Sequence, residues 1–178
     1  MITSTEPSEG KSTVALNLAY VLAQADKKVI LVDADIRSPS IHTMLKLPLY
    51  PGLSELFLEK FDVVENGFNN AAELPFKVVT AGNLPPNPTE LLASNKMDHI
   101  LTNFSNEAEY IIVDGPPAFV VDSLVLSTKM DGVILVVNLK KSRRGNVKLM
   151  LEQITGVGGK VVGIVLNRVP KTSIYSKY

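Results

Sequence analysis

Short apolar runs alternate along the chain with longer amphipathic stretches. The apolar runs are rich in β-branched side chains and lie at residues 28–33, 77–80, 110–114, 132–138 and 161–167. Because both faces of these runs are apolar, they predict strands buried in a parallel sheet. Helical spacing of apolar residues occurs at residues 11–25, 89–104 and 143–155. The alternation predicts an α/β fold with a doubly wound, mostly parallel sheet flanked by helices.

Residues 46–76 interrupt this alternation. They contain prolines, an apolar stretch at 53–58 that predicts a short helix, and a polar patch at 65–73. We interpret the segment as a surface excursion. The proline-rich residues 83–88 predict a rigid loop, with Pro88 in the first turn of the helix that follows.

Composition limits the class of protein. The 178 residues predict one domain over residues 1–178, and 46% hydrophobic residues are enough to build a core. Lys plus Arg (18) balance Asp plus Glu (18), which removes the simplest argument for a nucleic-acid partner. The chain has no Cys, and its apolar runs are too short to span a bilayer. Membrane contact would therefore need a partner.

A Gly-Lys-Ser-Thr sequence stands between a short apolar start and the first predicted helix. Gly10 lets backbone amides approach a phosphate, Lys11 supplies a cation, and Ser12 offers a hydroxyl to Mg²⁺. The strict phosphate-loop pattern has Gly where this chain has Thr5. Gly-Lys-Ser can also be a plain helix start, but its place between a strand and an amphipathic helix favours a nucleotide-binding, P-loop NTPase-like fold.

Carboxylates follow two of the predicted strands. Asp33 and Asp35 come after the second strand, and Asp114 ends a hydrophobic strand before two prolines. Carboxylates this close together favour a bound cation such as nucleotide-bound Mg²⁺, and one of them can accept a proton from an attacking hydroxyl. Each alone is also typical of a turn or helix cap. Beside the phosphate loop, the combination favours a magnesium-nucleotide site.

Polar residues elsewhere leave more than one interpretation open. Asn167 and Arg168 follow the last strand, where they can contact an adenine base or simply form a polar loop. The basic run at residues 140–148 is interpreted as a solvated helix start, with an acidic neighbour or anionic lipid as the alternative. The polar tail at 171–178 carries two tyrosines.

Taken together, these motifs resemble the bacterial tyrosine kinases, which autophosphorylate a C-terminal tyrosine cluster and govern capsule and exopolysaccharide export. The resemblance covers nearly the whole chain. It is carried by residues 3–13, 32–39, 52–54, 82–92, 112–117 and 163–169. Its most specific part is the Pro-Pro-Asn-Pro-x-Glu-Leu-Leu stretch at residues 85–92.

The resemblance implies ATP and Mg²⁺ as cofactors and assigns a role to each motif residue. The catalytic residues would be Asp33, as the base that takes the tyrosyl proton, with Lys11 and Asp35. The nucleotide-binding residues would be Glu9, Gly10, Lys11, Ser12, Thr13, Asn167 and Arg168. The metal would be held by Ser12, Asp35 and Asp114, and the phosphoacceptors would be Tyr175 and Tyr178.

The resemblance also implies partners and a location. The partners would be a membrane-spanning adaptor of the polysaccharide co-polymerase type, further copies of the chain in a ring or dimer that phosphorylate one another, and a protein tyrosine phosphatase. The expected location is the cytoplasm, at the inner face of the cell membrane through the adaptor. No nucleic acid is expected.

The chain departs from the family pattern at three points. A front helix with a Glu-x-x-Arg assembly motif is expected before the first strand, and this sequence starts after that point. The tail has Tyr175 and Tyr178 where the family has a longer cluster, and Ser8 stands where Gly is frequent. Two alternatives stay open: a ParA- or MinD-like ATPase switch without kinase activity, and a nucleotide-binding regulatory scaffold. The ATPase switches use a second lysine near the start of this loop, and this chain has Ser-Thr-Glu at residues 4–6 instead, which argues against the switch.

Overall fold

A computed structural model describes residues 1–58 and 74–170. Within these ranges the strands pair in parallel as one six-stranded sheet in the order β3-β2-β4-β1-β5-β6. The strands are β1 Ile2–Ser4, β2 Val29–Asp33, β3 Lys77–Val79, β4 Tyr110–Asp114, β5 Val133–Asn138 and β6 Val161–Asn167. The predicted α/β fold with a parallel sheet is confirmed.

Helices cover both faces of this sheet. They are α1 Lys11–Gln24, α2 Ile41–Leu45, α3 Leu53–Leu56, α4 Pro88–Ala93, α5 Asn95–Glu107, α6 Val121–Ser127 and α7 Arg144–Gly156. Alternate residues of β2 enter separate apolar clusters, because successive strand side chains point to opposite faces. Leu31 packs in the cluster that contains Ala15 of α1, and Val32 packs in the cluster that contains Phe104 of α5.

The strand register explains why distant carboxylates meet. β4 lies between β2 and β1, and Asp114 is paired in register with both Asp33 and Ile2. β1 leads directly into the Gly-Lys-Ser loop. The carboxyl ends of these parallel strands therefore bring the acidic residues and the loop to the same edge of the sheet, where ligands of such sheets bind.

Three local predictions were wrong. Residues 46–76 were interpreted as a surface excursion, but Leu53, Leu56 and Phe57 are buried in the core, because α3 packs its apolar side chains inward. The helix predicted at 89–104 is two helices, α4 and α5, separated at Ser94, whose ψ of 158° is extended. The Ser94 hydroxyl donates to the Leu91 carbonyl at 2.6 Å, a local bond that competes with helix continuation. Strand β6 was predicted to be buried on both faces, but it lies at the edge of the sheet. Alternate apolar side chains of β6, such as Val162, are exposed.

Other elements were missed or lie outside the described ranges. The sequence did not predict α2 or α6, which are short. The polar patch at 65–73 and the tail tyrosines Tyr175 and Tyr178 fall outside the residues that the structure describes. Within the described ranges, no helix combines the length and apolar character needed to cross a bilayer.

Candidate active site

The loop between β1 and α1 has a backbone that only certain residues adopt without strain. Gly10 has φ 99°, in the left-handed region, and a Cβ at this position would collide with the side-chain nitrogen of Asn167. Helix α1 follows at once, with the Val14 N–H donating to the Gly10 carbonyl at 2.9 Å. Its N-terminus therefore presents free backbone N–H groups at the edge of the sheet, a favourable site for phosphate.

Glu9 supports this loop from inside. Its buried carboxylate accepts hydrogen bonds from the Thr5 hydroxyl at 2.7 Å, from the Glu6 N–H at 3.0 Å, and from the Ser142 hydroxyl. The side chain is fully engaged within the loop and does not line the neighbouring cavity. The predicted role of Glu9 in nucleotide binding stays a prediction, and it would have to be carried by the main chain.

Lys11 is the cation of the site. Its Nζ lies 2.8 Å from Asp35 Oδ2 and 3.6 Å from Asp114 Oδ1, and it donates to the Ser12 hydroxyl at 3.3 Å. Burial lowers the pKa of Lys11, but the attraction of Asp114 and Asp35 outweighs burial, so the net shift is upward. The amine is therefore held charged, as a phosphate-binding group must be.

Asp33 is fixed behind Lys11 by backbone donors. Its Oδ2 accepts the N–H groups of Ser40 and Ile41, both at 3.0 Å, and its Oδ1 accepts the Asp35 N–H at 3.2 Å. Burial raises the pKa of Asp33 to about 6, although the hydrogen bonds from Ile41 and Ser40 oppose the shift. Asp33 has no exposed surface, whereas Asp35 lines the cavity.

Asp114 pairs with Lys11 but, unlike Asp33 and Asp35, accepts no hydrogen bond. It is fully buried, and neither of its oxygens accepts a hydrogen bond from any described residue. Burial raises the pKa of Asp114 to about 7, although Lys11 opposes the shift. A buried carboxylate in this state is unfavourable unless a cation or donor reaches it.

The residues present fit a magnesium ion that arrives with a nucleotide. Among the described residues no group of three or more His, Cys, Asp or Glu side chains forms a metal site by itself. Mg²⁺ uses one or two carboxylates and takes its other ligands from phosphate oxygens and water, so it does not need such a group. The unpartnered oxygens of Asp114 and the hydroxyl of Ser12 are ligands of the required chemistry.

These residues face a cavity of about 470 Å³. One side of it is formed by the loop and the start of α1, and the other by the segment after β4 and the loop after β2. The lining residues are Pro7, Ser8, Gly10, Lys11, Ser12, Thr13, Asp35, Arg37, Ser38, Ser40, Met44, Pro116, Pro117, Phe119, Val120 and Arg168. The structure thus brings Gly10 to Thr13, Asp35 and Arg168 to one cavity, with Asp33 and Asp114 behind it.

Asn167 clamps the phosphate loop. Its side-chain nitrogen donates to the Glu9 carbonyl at 2.8 Å, and its side-chain oxygen accepts the Arg168 N–H at 2.8 Å. Arg168 has φ 53°, in the left-handed region, and it lines the cavity. The adenine contacts predicted for this pair stay predictions.

Sequence reasoning missed a second ionic cluster at the cavity. The Arg37 Nε lies 2.7 Å from Asp122 Oδ2, and its Nη2 donates to the Thr89 hydroxyl at 3.1 Å. The Thr89 hydroxyl also donates to Asp122. Burial raises the pKa of Asp122, but Arg37 and Thr89 outweigh it and the net shift is downward. Arg37 and Asp122 are 85 positions apart, so spacing gave no signal beyond the motif residues around each.

The comparison with family models defines the class. Residues 1–172 match the model described as "ParA: NUBPL iron-transfer P-loop NTPase". The chain therefore belongs to the ParA-type P-loop NTPases, as the loop and strand ends indicate.

Curated relatives and solved structures narrow the class. The tyrosine-protein kinase YwqD of Bacillus subtilis is 37% identical over 179 residues, covering 100% of this chain and 75% of that relative. The kinase domain of the Escherichia coli tyrosine kinase ETK matches with a TM-score of 0.91 and 32% identity, over 96% of this chain and 67% of that one. The VpsO kinase domain matches with a TM-score of 0.90 and 34% identity, over 96% of this chain and 84% of that one. The chain belongs to the bacterial tyrosine kinases, a family of phosphoryl-transfer enzymes.

Proposed function

We propose that this protein transfers the γ-phosphoryl group of ATP to tyrosines of a second copy of the chain, Tyr175 and Tyr178 among them. The observation that carries the proposal is Lys11, a buried lysine held charged between Asp35 and Asp114 at the N-terminus of α1. This arrangement is typical of phosphoryl transfer, in which positioning and charge neutralisation supply most of the catalysis.

The nucleotide phosphates would bind at the start of α1. Gly10 allows the backbone N–H groups to approach them, and Lys11 adds the positive charge. Ser12, Asp35 and Asp114 would hold Mg²⁺, directly or through water. When bound, the metal would neutralise charge on the phosphate oxygens and supply a ligand bond to the Asp114 oxygens, which accept no hydrogen bond.

The transfer needs a group that accepts the phenolic proton. The tyrosine oxygen forms a bond to the γ-phosphorus, the bond to the bridging oxygen breaks, and ADP leaves with that electron pair. We assign the proton to Asp33, as the family relationship implies; burial raises its pKa to about 6, which suits a proton acceptor, while Asp114 is assigned to the metal. Asp35 has better access to the cavity, so the two residues are separated by experiment below.

The family relationship supports a wider role. We infer that the protein regulates synthesis and export of capsular or extracellular polysaccharide, that a membrane-spanning adaptor of the co-polymerase type activates it at the inner face of the cell membrane, and that a tyrosine phosphatase reverses the modification. The match to the ParA-type model is also consistent with one alternative function, an ATPase switch that hydrolyses ATP and phosphorylates no protein.

A mixing experiment tests transfer between copies. A Lys11→Met chain, which retains both tail tyrosines, is combined with a Tyr175→Phe/Tyr178→Phe chain, which retains Lys11, in the presence of ATP and Mg²⁺. We expect phosphotyrosine on the Lys11→Met chain in the mixture and none on that chain alone. Label in the wild type without label in the mixture would show that transfer stays within one chain. ATP hydrolysis without any phosphotyrosine would favour the switch.

A further inference from the structure

The segment after β4 presents an apolar side chain at the rim of the cavity. Phe119 is 57% exposed, yet it lines the same cavity as Lys11 and Asp35. We propose that Phe119 is a specificity-determining residue that packs against the ring of the incoming tyrosine, supplied by a second copy of the chain. This inference rests on the function proposed above and names the part of the site that recognises the acceptor.

The turn that carries Phe119 is rigid and is tied to the phosphate loop. The Thr3 hydroxyl donates to the Pro116 carbonyl at 2.7 Å, and the N–H of the fully buried Ala118 donates to the Ser4 carbonyl at 2.7 Å. The Val120 N–H closes the turn on the Pro117 carbonyl at 3.0 Å. Since a proline ring also fixes φ, the backbone that carries Phe119 is held in position without a ligand.

The surroundings of Phe119 suit a ring with a polar tip. Pro116, Pro117, Val120 and the 41% exposed Met44 line the cavity with it, and its charged lining is Lys11, Asp35, Arg37 and Arg168. Apolar side chains exposed around a polar cleft are typical of ligand sites. A tyrosine can bury its ring against such residues and present its hydroxyl to the charged end, whereas serine has no ring to bury.

The sheet order argues for tyrosine rather than the adenine base. The turn of Phe119 follows β4, which lies on one side of β1. Arg168, beside which the base is predicted, follows β6, on the other side of β1. Phe119 and Arg168 therefore flank the phosphate loop from opposite sides.

Peptide kinetics test the proposal. The substrate is a peptide of residues 171–178, and the variants are Phe119→Ala, Phe119→Tyr, and Val121→Ala as the matched control. Val121 is 60% exposed on the same segment but does not line the cavity. We expect Phe119→Ala to raise the peptide KM by about fivefold to tenfold with the Kd of a non-hydrolysable ATP analogue unchanged. Phe119→Tyr should restore the wild-type KM, and Val121→Ala should not alter it.

Each contrary outcome is distinct. An unchanged peptide KM in Phe119→Ala overturns the proposal, and so does a weaker Kd for the ATP analogue, which would place the ring on the nucleotide. Fluorescence anisotropy of a labelled peptide on the protein loaded with the analogue separates binding from transfer. Wild-type binding that Phe119→Ala weakens, without any transfer, would refute the kinase proposal and leave the acceptor subsite standing. Failure of the loaded wild type to bind the peptide would overturn the subsite.

Discussion

The two walls of the cavity are built in different ways. The phosphate wall is formed by one loop and one helix N-terminus, with cavity-lining residues within 7–13, and the buried carboxylates Asp33 and Asp114 lie behind it at adjacent strand ends. Asp35, in the loop after β2, pairs with Lys11 of this wall. The acceptor wall consists of residues 116–120 with Arg37 and Met44. Arg37 on this wall is held by Thr89 and Asp122, which are 52 and 85 positions away.

We expect the phosphate wall to govern phosphoryl transfer and the acceptor wall to govern recognition of the tyrosine. The charges of the phosphate wall are buried and coupled to one another, so a change there alters transfer, nucleotide binding or stability rather than affinity for the acceptor. The acceptor wall is more exposed and largely apolar, so a change there alters affinity for the acceptor. The predictions below test that separation, starting with the largest expected effect.

Substitution of Asp33 or Asp35, at the end of β2, should have the largest effect on phosphoryl transfer or nucleotide binding. We expect Asp33→Asn to retain the affinity for ATP and Mg²⁺ and to slow transfer by roughly 10²- to 10³-fold, because the proton acceptor is lost. Asp35→Asn should instead weaken nucleotide binding, since Asp35 pairs with Lys11 at 2.8 Å. Calorimetric binding and single-turnover transfer measure the two effects. Intact binding with lost transfer in Asp35→Asn alone would move the base to Asp35.

The stability of the nucleotide-free protein should depend on pH through the phosphate wall. Burial raises the pKa of Asp33 to about 6 and that of Asp114 to about 7, from 3.8. The folded protein thus binds more protons than the unfolded chain in this window. The stability contributed by these groups is complete below 3.8 and is lost as pH rises through about 6 and about 7.

Urea unfolding of wild type and Asp114→Asn at about pH 5 and about pH 8 measures this loss. We expect the variant to gain on the order of 2 kcal/mol relative to wild type between those pH values. The comparison with wild type is needed because burial lowers the pKa of the Met1 amine to about 6. This shift makes stability rise with pH, opposite to the effect of the two carboxylates. The same stability difference at both pH values would contradict the account.

Asp122→Asn tests the acceptor wall. Loss of the charge paired with Arg37 should reduce the free energy of unfolding by about 1 kcal/mol, because Arg37 is half exposed and solvent screens the pair. The nucleotide Kd should not change. The matched control is Asp98→Asn, which removes an exposed carboxylate paired with Lys129. A large loss of nucleotide affinity in Asp122→Asn would show that the two walls are not separate.

Ser8→Gly should have the smallest effect, on the phosphate wall. Ser8 has φ 64°, in the left-handed region that disfavours side chains, which gives a physical reason for glycine at this position. We expect roughly 0.5 kcal/mol of stabilisation, reduced by the greater freedom of glycine in the unfolded chain. Ser105→Gly, within helix α5, should destabilise instead. Destabilisation by Ser8→Gly would mean that the serine side chain itself supports the loop.

The sequence could predict the phosphate wall because each of its motifs is local and the parallel sheet brings the motifs together. Strand β4 has the predicted bounds of 110–114, and Lys11, Asp33 and Asp114 meet because parallel strands end at one edge. The acceptor wall depends on contacts between distant segments, so the pairing of Arg37 with Asp122 left no periodic signal. The exposed face of β6 was missed for a similar reason, since apolar periodicity does not distinguish an edge strand from a central one.

Phosphotyrosine mass spectrometry after incubation with ATP and Mg²⁺ tests the central claim most directly. We expect label at Tyr175 or Tyr178 in the wild type and none in Lys11→Met, with Lys27→Met, which removes an exposed lysine paired with Glu109, labelled like the wild type. ATP hydrolysis without phosphotyrosine, even when a cytoplasmic fragment of the membrane adaptor is added, would contradict the account.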